Sequence, residues 1–104
     1  MNTVSKNYQD SLIDALTDPR EAAAYLDSAL EEGNRAVFLL AIRNVIKALG
    51  GMSHIAREAG LNRENLYRLL SEQGNPEFNS LEKLLKTLGL RLSVEVDQNL
   101  DHVA

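Results

Sequence analysis

Residues 52–71, MSHIAREAGLNRENLYRLLS, constrain the fold of this chain more than any other stretch. Gly60 can adopt the positive φ that turns a chain out of a helix, and Asn62 can cap a following helix through its side-chain oxygen. Leu61 lies between them and would pack beneath the turn. The stretch therefore predicts two helices joined by a short turn. Their apolar positions, at helical spacing, are Ile55, Ala56, Ala59, Leu66, Leu69 and Leu70.

The spacing of these residues is typical of a helix-turn-helix. Ala56 is small where two crossing helices must come close, and Gly60 follows it four residues later. In a helix-turn-helix the second helix enters the major groove of DNA. An ordinary helical hairpin is the alternative interpretation, because unrelated hairpins sometimes share the pattern. The agreement of several positions favours DNA binding.

The charge of the chain is distributed unevenly. The net charge is −4, which argues against a protein that binds polyanions through a broad basic field. Residues 1–49 hold five Lys/Arg and seven Asp/Glu (−2), residues 50–91 hold six and five (+1), and residues 92–104 hold none and three (−3). We therefore expect a few well-placed contacts to DNA, made by a dimer.

Several classes of function find no support in the composition. The 104 residues suit one domain, and the absence of cysteine excludes disulfides, zinc–thiolate sites and thiol nucleophiles. No apolar run reaches membrane length and the N-terminus lacks a signal-peptide core, so we expect a cytoplasmic protein without a membrane partner. His54 and His102 are not spaced as metal ligands. We expect no enzyme activity, cofactor or metal.

Capping residues and apolar periodicity predict further helices on both sides of residues 52–71. Asp18, Pro19 and Glu21 form a helix start with the pattern of a capping box, and Asn34 can cap the next helix. Ser80 is predicted to cap the last one. The predicted helices cover residues 7–16, 19–32, 35–49 and 80–88, and the third is expected to be the core helix, with an apolar face that comprises Val37, Phe38, Leu40, Ala41, Val45, Ile46 and Leu49.

Residues 90–96 alternate between apolar and polar side chains with period two, which predicts a β-strand. One strand cannot satisfy its backbone groups alone, so it needs a pairing partner. We predict that it pairs with the same strand of a two-fold mate, with Leu92 and Val94 packed over the last helix. A strand that lies on its own helices or pairs with another protein is the alternative. The predicted dimer interface comprises Leu90, Leu92, Ser93, Val94 and Val96.

A family resemblance is carried by four separated segments: DPREAAAYL (18–26), GGMSHIAREAGLNRENLYRLLS (50–71), GNP (74–76) and LGLRLSV (88–94). Taken in order, they resemble the addiction-module antidote family, the HigA-like, Xre-type helix-turn-helix antitoxins of bacteria and phages. The similarity covers roughly residues 10–96. It implies a small RelE/HigB-like toxin that cleaves messenger RNA, and repression of the promoter shared with that toxin.

We predict a mainly α, lambda-repressor-like DNA-binding domain of five to six helices with a short C-terminal β-strand. The domain comprises residues 18–96, preceded by a segment with a short helix (1–17) and followed by an acidic tail (97–104). The expected partners are double-stranded operator DNA, a RelE/HigB-like toxin and a second copy of the chain. A free-standing helix-turn-helix regulator without a toxin and a protein-binding adaptor are the alternatives.

The candidate DNA contacts lie on or beside the second helix of the hairpin. Arg63 and Arg68 can donate to guanine or phosphate, and Asn65 can bind adenine. Solvated surface is the alternative interpretation of each position. The full set of candidates is Ser53, His54, Asn62, Arg63, Glu64, Asn65, Tyr67, Arg68 and Ser71.

Overall fold

The computed structural model describes the backbone of residues 3–98 and the side chains of residues 8–98. The predicted acidic tail beyond residue 98, with His102, lies outside the described residues. In chain order the described helices are α1 (Thr3–Ala15), α2 (Pro19–Glu31), α3 (Arg35–Ala48), α4 (Met52–Ala59), α5 (Arg63–Leu69) and α6 (Phe78–Thr87). The prediction of a mainly helical chain is confirmed. Within residues 3–98 no single helix could span a membrane, and only α3 and α4 together reach that length, across a bend of 94°.

Helices α2 and α3 begin at the residues that the sequence predicts. The Asp18 carboxylate accepts a hydrogen bond from the Arg20 N–H at 2.9 Å, and the Asn34 side chain accepts one from the first turn of α3 at 3.2 Å. The predicted capping box at α2 is only half formed. The backbone N–H of Asp18 donates to the Ala15 carbonyl at 3.1 Å, so it does not need the Glu21 side chain.

Helix α3 forms the centre of the core and packs against α1, α2 and α4. The sequence predicts its central role correctly but assigns one residue to the wrong side. Leu40, predicted to lie on the apolar face, is 48% exposed, whereas Leu39 and Ile42 are fully buried. The helix is so apolar that its periodicity allows more than one buried face, and packing decides between them. Its buried residues are Phe38, Leu39, Ala41, Ile42, Val45 and Ile46.

The start of α6 differs from the prediction. The helix begins at Phe78, so Ser80 lies inside its first turn and is not the cap. Glu77 occupies the cap position without a side-chain hydrogen bond. Residues 77–79 are exposed, so water can accept the first N–H groups of the helix. The predicted apolar face is present, and its buried members are Leu84, Leu85 and Leu88.

The C-terminal segment, residues 90–96, is not a β-strand in the described part of the chain. The Leu90 N–H donates to the Leu85 carbonyl at 2.8 Å and fixes where the segment leaves α6. The prediction that Leu92 and Val94 pack over the last helix is wrong, because Val94 is 98% exposed and Leu92 is exposed as well. The physical reason is that a lone extended segment has no ladder partner within residues 3–98. Its pairing with a second copy stays a prediction.

Candidate nucleic-acid interface

A tight turn at residues 60–62 joins α4 to α5. Gly60 has φ 70° in the left-handed region, as the sequence predicts. This conformation lets the Gly60 N–H donate to the Arg57 carbonyl at 3.2 Å and the Leu61 N–H donate to the Ala56 carbonyl at 2.8 Å. The Leu61 side chain packs against the core. The entry to α5 is therefore fixed by backbone hydrogen bonds and by one apolar anchor.

The inner faces of α4 and α5 are buried against each other and against the core. Helix α4 packs on α3, α5 and α6. On α5, Leu66 has no exposed surface, and neither has Leu70 at its C-cap. These two anchors fix the rotation of α5 about its own axis, so the opposite face points to solvent. The buried residues of α4 are Ile55, Ala56 and Ala59.

Asn62 caps α5 as the sequence predicts. Its side-chain oxygen accepts hydrogen bonds from the Glu64 N–H at 2.8 Å and the Asn65 N–H at 3.3 Å. The oxygen is committed to the helix, so the NH2 group is what the side chain of Asn62 offers to a ligand. Since Asn62 is exposed, its NH2 group is accessible at the entry of α5.

The two arginines of α5 are held by uncharged partners on the same helix. The Arg63 guanidinium donates to the Tyr67 hydroxyl at 3.3 Å, and its central carbon lies 5.2 Å from the centre of the Tyr67 ring. The Arg68 guanidinium donates to the Asn65 side-chain oxygen. Neither partner offsets the positive charge. All four side chains are exposed, as is Glu64 between them. The outer face of α5 thus presents two oriented cations.

Three other predicted contacts lie at helix ends. Ser53 and His54 are exposed in the first turn of α4. The His54 ring lies close to Gly50, where a Cβ atom would come within 2.6 Å of its Cδ2. Ser71 follows the C-cap of α5 and is only half-exposed, and its hydroxyl donates to the Arg68 carbonyl at 2.8 Å. The five exposed residues of α5 therefore form one surface, whereas these three border it.

Two residues that the sequence does not place at α5 contact its C-terminal end. Gly74 is buried, and a Cβ there would lie 2.1 Å from the Leu69 carbonyl oxygen. The Arg43 guanidinium, which comes from α3, donates to the Leu70 carbonyl. In the sequence, Gly74 precedes Asn75 and Pro76 and indicates only a loop. Arg43, four residues before Lys47, could equally reach a phosphate or be a solvated side chain. An arginine within the most apolar helix is the one sequence signal that could have drawn attention to it.

The charge around α4 and α5 differs from the charge around α2. Residues 52–71 hold three Arg and two Glu, a net +1, whereas residues 18–33 hold one Arg and five Asp/Glu, a net −4. A polyanion would therefore meet less repulsion at α4 and α5 than at α2.

Comparison with known proteins identifies the family. Residues 6–96 match the family described as "probable addiction module antidote protein". The chain belongs to this family. It is also 41% identical over 80 residues to an uncharacterized protein of Haemophilus influenzae. The matched residues make up 77% of this chain and 81% of that protein. No solved structure matches the chain at a significant level. Membership of this family suggests an addiction-module antitoxin, and an antidote family implies a toxin partner.

The chain has a second exposed region along the C-terminal segment. A groove of about 430 Å³ separates this segment from α2, and its apolar side chains include Leu26, Phe38 and Leu85. Val94 and Val96, two of the predicted dimer residues, are 98% and 77% exposed beyond it. The groove is lined mainly by apolar side chains, with Asp27, Arg91 and Glu95 among its charged residues, whereas the outer face of α5 is polar and carries two arginines.

Proposed function

We propose that the antidote binds operator DNA with α5 in the major groove, represses its own operon and neutralises a RelE/HigB-like toxin that cleaves messenger RNA. One observation carries the proposal for DNA. The short helix α5 is capped, anchored by fully buried leucines, and exposes two arginines on its outer face. A rigid helix that presents donors outward fits the width of the major groove.

Each exposed residue of α5 has a chemistry that suits a base edge or a phosphate. Arg63 and Arg68 can each give two parallel donors to guanine O6 and N7, or bind phosphate. Asn65 can bind adenine with its amide, provided that Arg68 exchanges its present contact for one with DNA. Tyr67 can contact a phosphate or a thymine methyl group, and Glu64 can accept from cytosine N4.

The residues that border this surface would contact the phosphate backbone. Ser53 and His54 lie in the first turn of α4, where backbone N–H groups also favour an anion. The free NH2 group of Asn62 can donate to a neighbouring phosphate. Ser71, whose hydroxyl donates to the Arg68 carbonyl, would donate to phosphate by exchanging that bond. These contacts would position the protein without reading sequence.

The antidote would bind its operator as a homodimer. With a net charge of −4, one copy has little electrostatic affinity for DNA, so two half-sites about 34 Å apart would be bound together. Leu90, Leu92, Ser93, Val94 and Val96 would form the contact, with the two C-terminal segments paired edge to edge. The exposure of residues 92–96 in the single chain supports this arrangement, because their backbone groups and apolar side chains are available to a partner. Leu90 is half-buried, and its N–H already donates to the Leu85 carbonyl.

The experiment that tests the DNA function is a titration of the purified protein with a labelled fragment of its own promoter, at low salt, against a scrambled fragment of equal length. We expect a shift for the promoter fragment at concentrations that leave the scrambled fragment free. Absence of any shift, with or without the toxin, would favour a protein-binding adaptor instead.

The toxin function is tested by co-expression with the product of the neighbouring reading frame. We expect the two proteins to co-purify and the antidote to abolish the messenger RNA cleavage of its partner. Operator binding with no neighbouring gene for a small protein would instead identify a free-standing regulator.

A further inference from the structure

Arg43 connects the core helix α3 to the far end of α5. It lies on the polar side of α3, is half-buried, and its guanidinium donates to the Leu70 carbonyl, 27 residues later in the chain. Leu70 is the C-cap of α5. The last carbonyls of a helix have no partner within it, and a cation beside them also interacts favourably with the helix dipole. Arg43 therefore supplies a donor that α5 itself lacks.

The C-terminal end of α5 is enclosed on a second side by the backbone at Gly74. A Cβ at Gly74 would lie 2.1 Å from the Leu69 oxygen and 2.9 Å from the Arg68 oxygen, so the loop passes directly against the helix end. The Gly74 N–H donates to the Ser71 carbonyl at 2.8 Å. The end of α5 thus lies between a side chain of α3 and a backbone segment of the following loop.

We propose that Arg43 is a positioning residue that sets the angle of α5 on the core and thereby the placement of its outer side chains in DNA. The inference rests on the proposed operator binding. Helix α5 has seven residues and is about 10 Å long, so a small tilt at its C-terminal end displaces Arg68 directly. Hydrogen bonds to base edges tolerate little displacement. Arg43 would affect sequence recognition without contacting DNA.

The choice of arginine fits this role better than lysine. A guanidinium offers five N–H donors in a planar fork, so it can hold a carbonyl in a defined direction. Lysine offers a point charge on a flexible stem and would satisfy the carbonyl with less control of direction. An Arg43→Lys variant should therefore restore part of what an uncharged residue loses.

Lys47 provides a matched control. It lies one turn after Arg43 on α3, is exposed, and lines the same shallow depression beside Met52. If α3 contacted phosphate through this side, Lys47 would take part as readily as Arg43. If Arg43 acts on α5, Lys47 should have little effect on DNA binding.

The test measures the affinity of Arg43→Met, Arg43→Lys and Lys47→Ala for the operator and for an unrelated fragment, well below the thermal midpoint of each variant. Arg43→Met should bind the operator roughly tenfold or more weakly, which is the loss of about one base contact. Its affinity for the unrelated fragment should change less than about twofold, because non-specific binding depends on phosphate contacts. Arg43→Lys should fall between parent and Arg43→Met, and Lys47→Ala should match the parent.

Other outcomes overturn the inference. An equal loss on both fragments, with a weaker salt dependence, would make Arg43 a phosphate contact. A lower thermal midpoint with unchanged operator affinity would make the contact purely structural. Amide hydrogen exchange supplies a readout without DNA: α5 should exchange faster in Arg43→Met, whereas α4 should not. A parent protein that binds no operator would instead overturn the proposed function itself. The two failures are distinguishable, because the operator affinity of the parent is measured before that of the variants.

Discussion

The α4–α5 unit and the C-terminal segment both have a regular apolar pattern, yet only the first buries it. Leu66 of α5 has no exposed surface, whereas Val94 of the C-terminal segment is 98% exposed. A helix satisfies its backbone hydrogen bonds within itself, so an amphipathic helix needs only a core to pack against. A strand needs a second strand before its side chains can be held. The alternation at residues 90–96 therefore predicts a strand that needs a pairing partner, and residues 3–98 of the single chain provide none.

The largest effect is expected on the free energy of unfolding, because the two regions differ in how far their side chains are buried. Leu66→Ala should lower the free energy of unfolding by roughly 2–5 kcal/mol, through lost burial and the cavity left behind. Val94→Ala, the contrasting control, should change the free energy of unfolding of the monomer by less than about 0.5 kcal/mol, since its side chain is exposed in the single chain. Chemical denaturation measures both. Similar values for the two variants would contradict the burial on which the comparison depends.

The outer face of α5 should contribute to binding and not to stability. Arg63→Ala or Arg68→Ala should weaken operator binding by about 1–3 kcal/mol, since each removes donors to a base edge or phosphate. Both side chains are exposed, so the thermal midpoint should stay close to that of the parent. Arg20→Ala, at an exposed position of α2, controls for the loss of one positive charge. Unchanged operator affinity in both α5 variants would place the DNA interface elsewhere.

The cap of α5 should have an intermediate effect. Asn62→Ala removes the acceptor for the N–H groups of Glu64 and Asn65 and should cost about 0.5–2 kcal/mol of unfolding free energy. Asn62→Asp keeps an acceptor at the same place and should recover most of that loss. A destabilised Asn62→Asp variant would show that the cap is not the source of the effect. Thermal and denaturant unfolding of the three proteins give the measurement.

The smallest effect on the folding of the single chain is expected in the C-terminal segment. Ser93→Pro removes one backbone donor and restricts the backbone without removing apolar area. We expect a folded, largely monomeric protein with much weaker operator binding, and sedimentation gives its mass. Ser93→Ala, which keeps the N–H, should remain dimeric. A full dimer in Ser93→Pro would move the interface to another surface, and a monomeric parent would leave the segment free for the toxin.

The sequence by itself determined the features that depend on neighbouring residues. Asp18, Asn34 and Asn62 cap helices as predicted, and Gly60 takes the left-handed conformation that the turn requires. Each cap bond joins atoms two or three residues apart, so the sequence contains the whole interaction. The exposed candidate residues of α5 were predictable for the same reason, because one buried face of a short helix fixes the other. The family resemblance also rested on these local segments, and the family is confirmed.

Only the tertiary structure decided the features that depend on distant residues. It exposed Leu40 and buried Leu39, because α3 has apolar residues on more than one side and its neighbours select the buried face. In the fold Arg43 contacts Leu70, 27 residues later in the chain, and Gly74 packs against the end of α5. The tertiary structure also left residues 90–96 without a ladder within the described chain. Helix capping is a local interaction, whereas packing and strand pairing depend on which surfaces meet in three dimensions, and periodicity alone does not specify them.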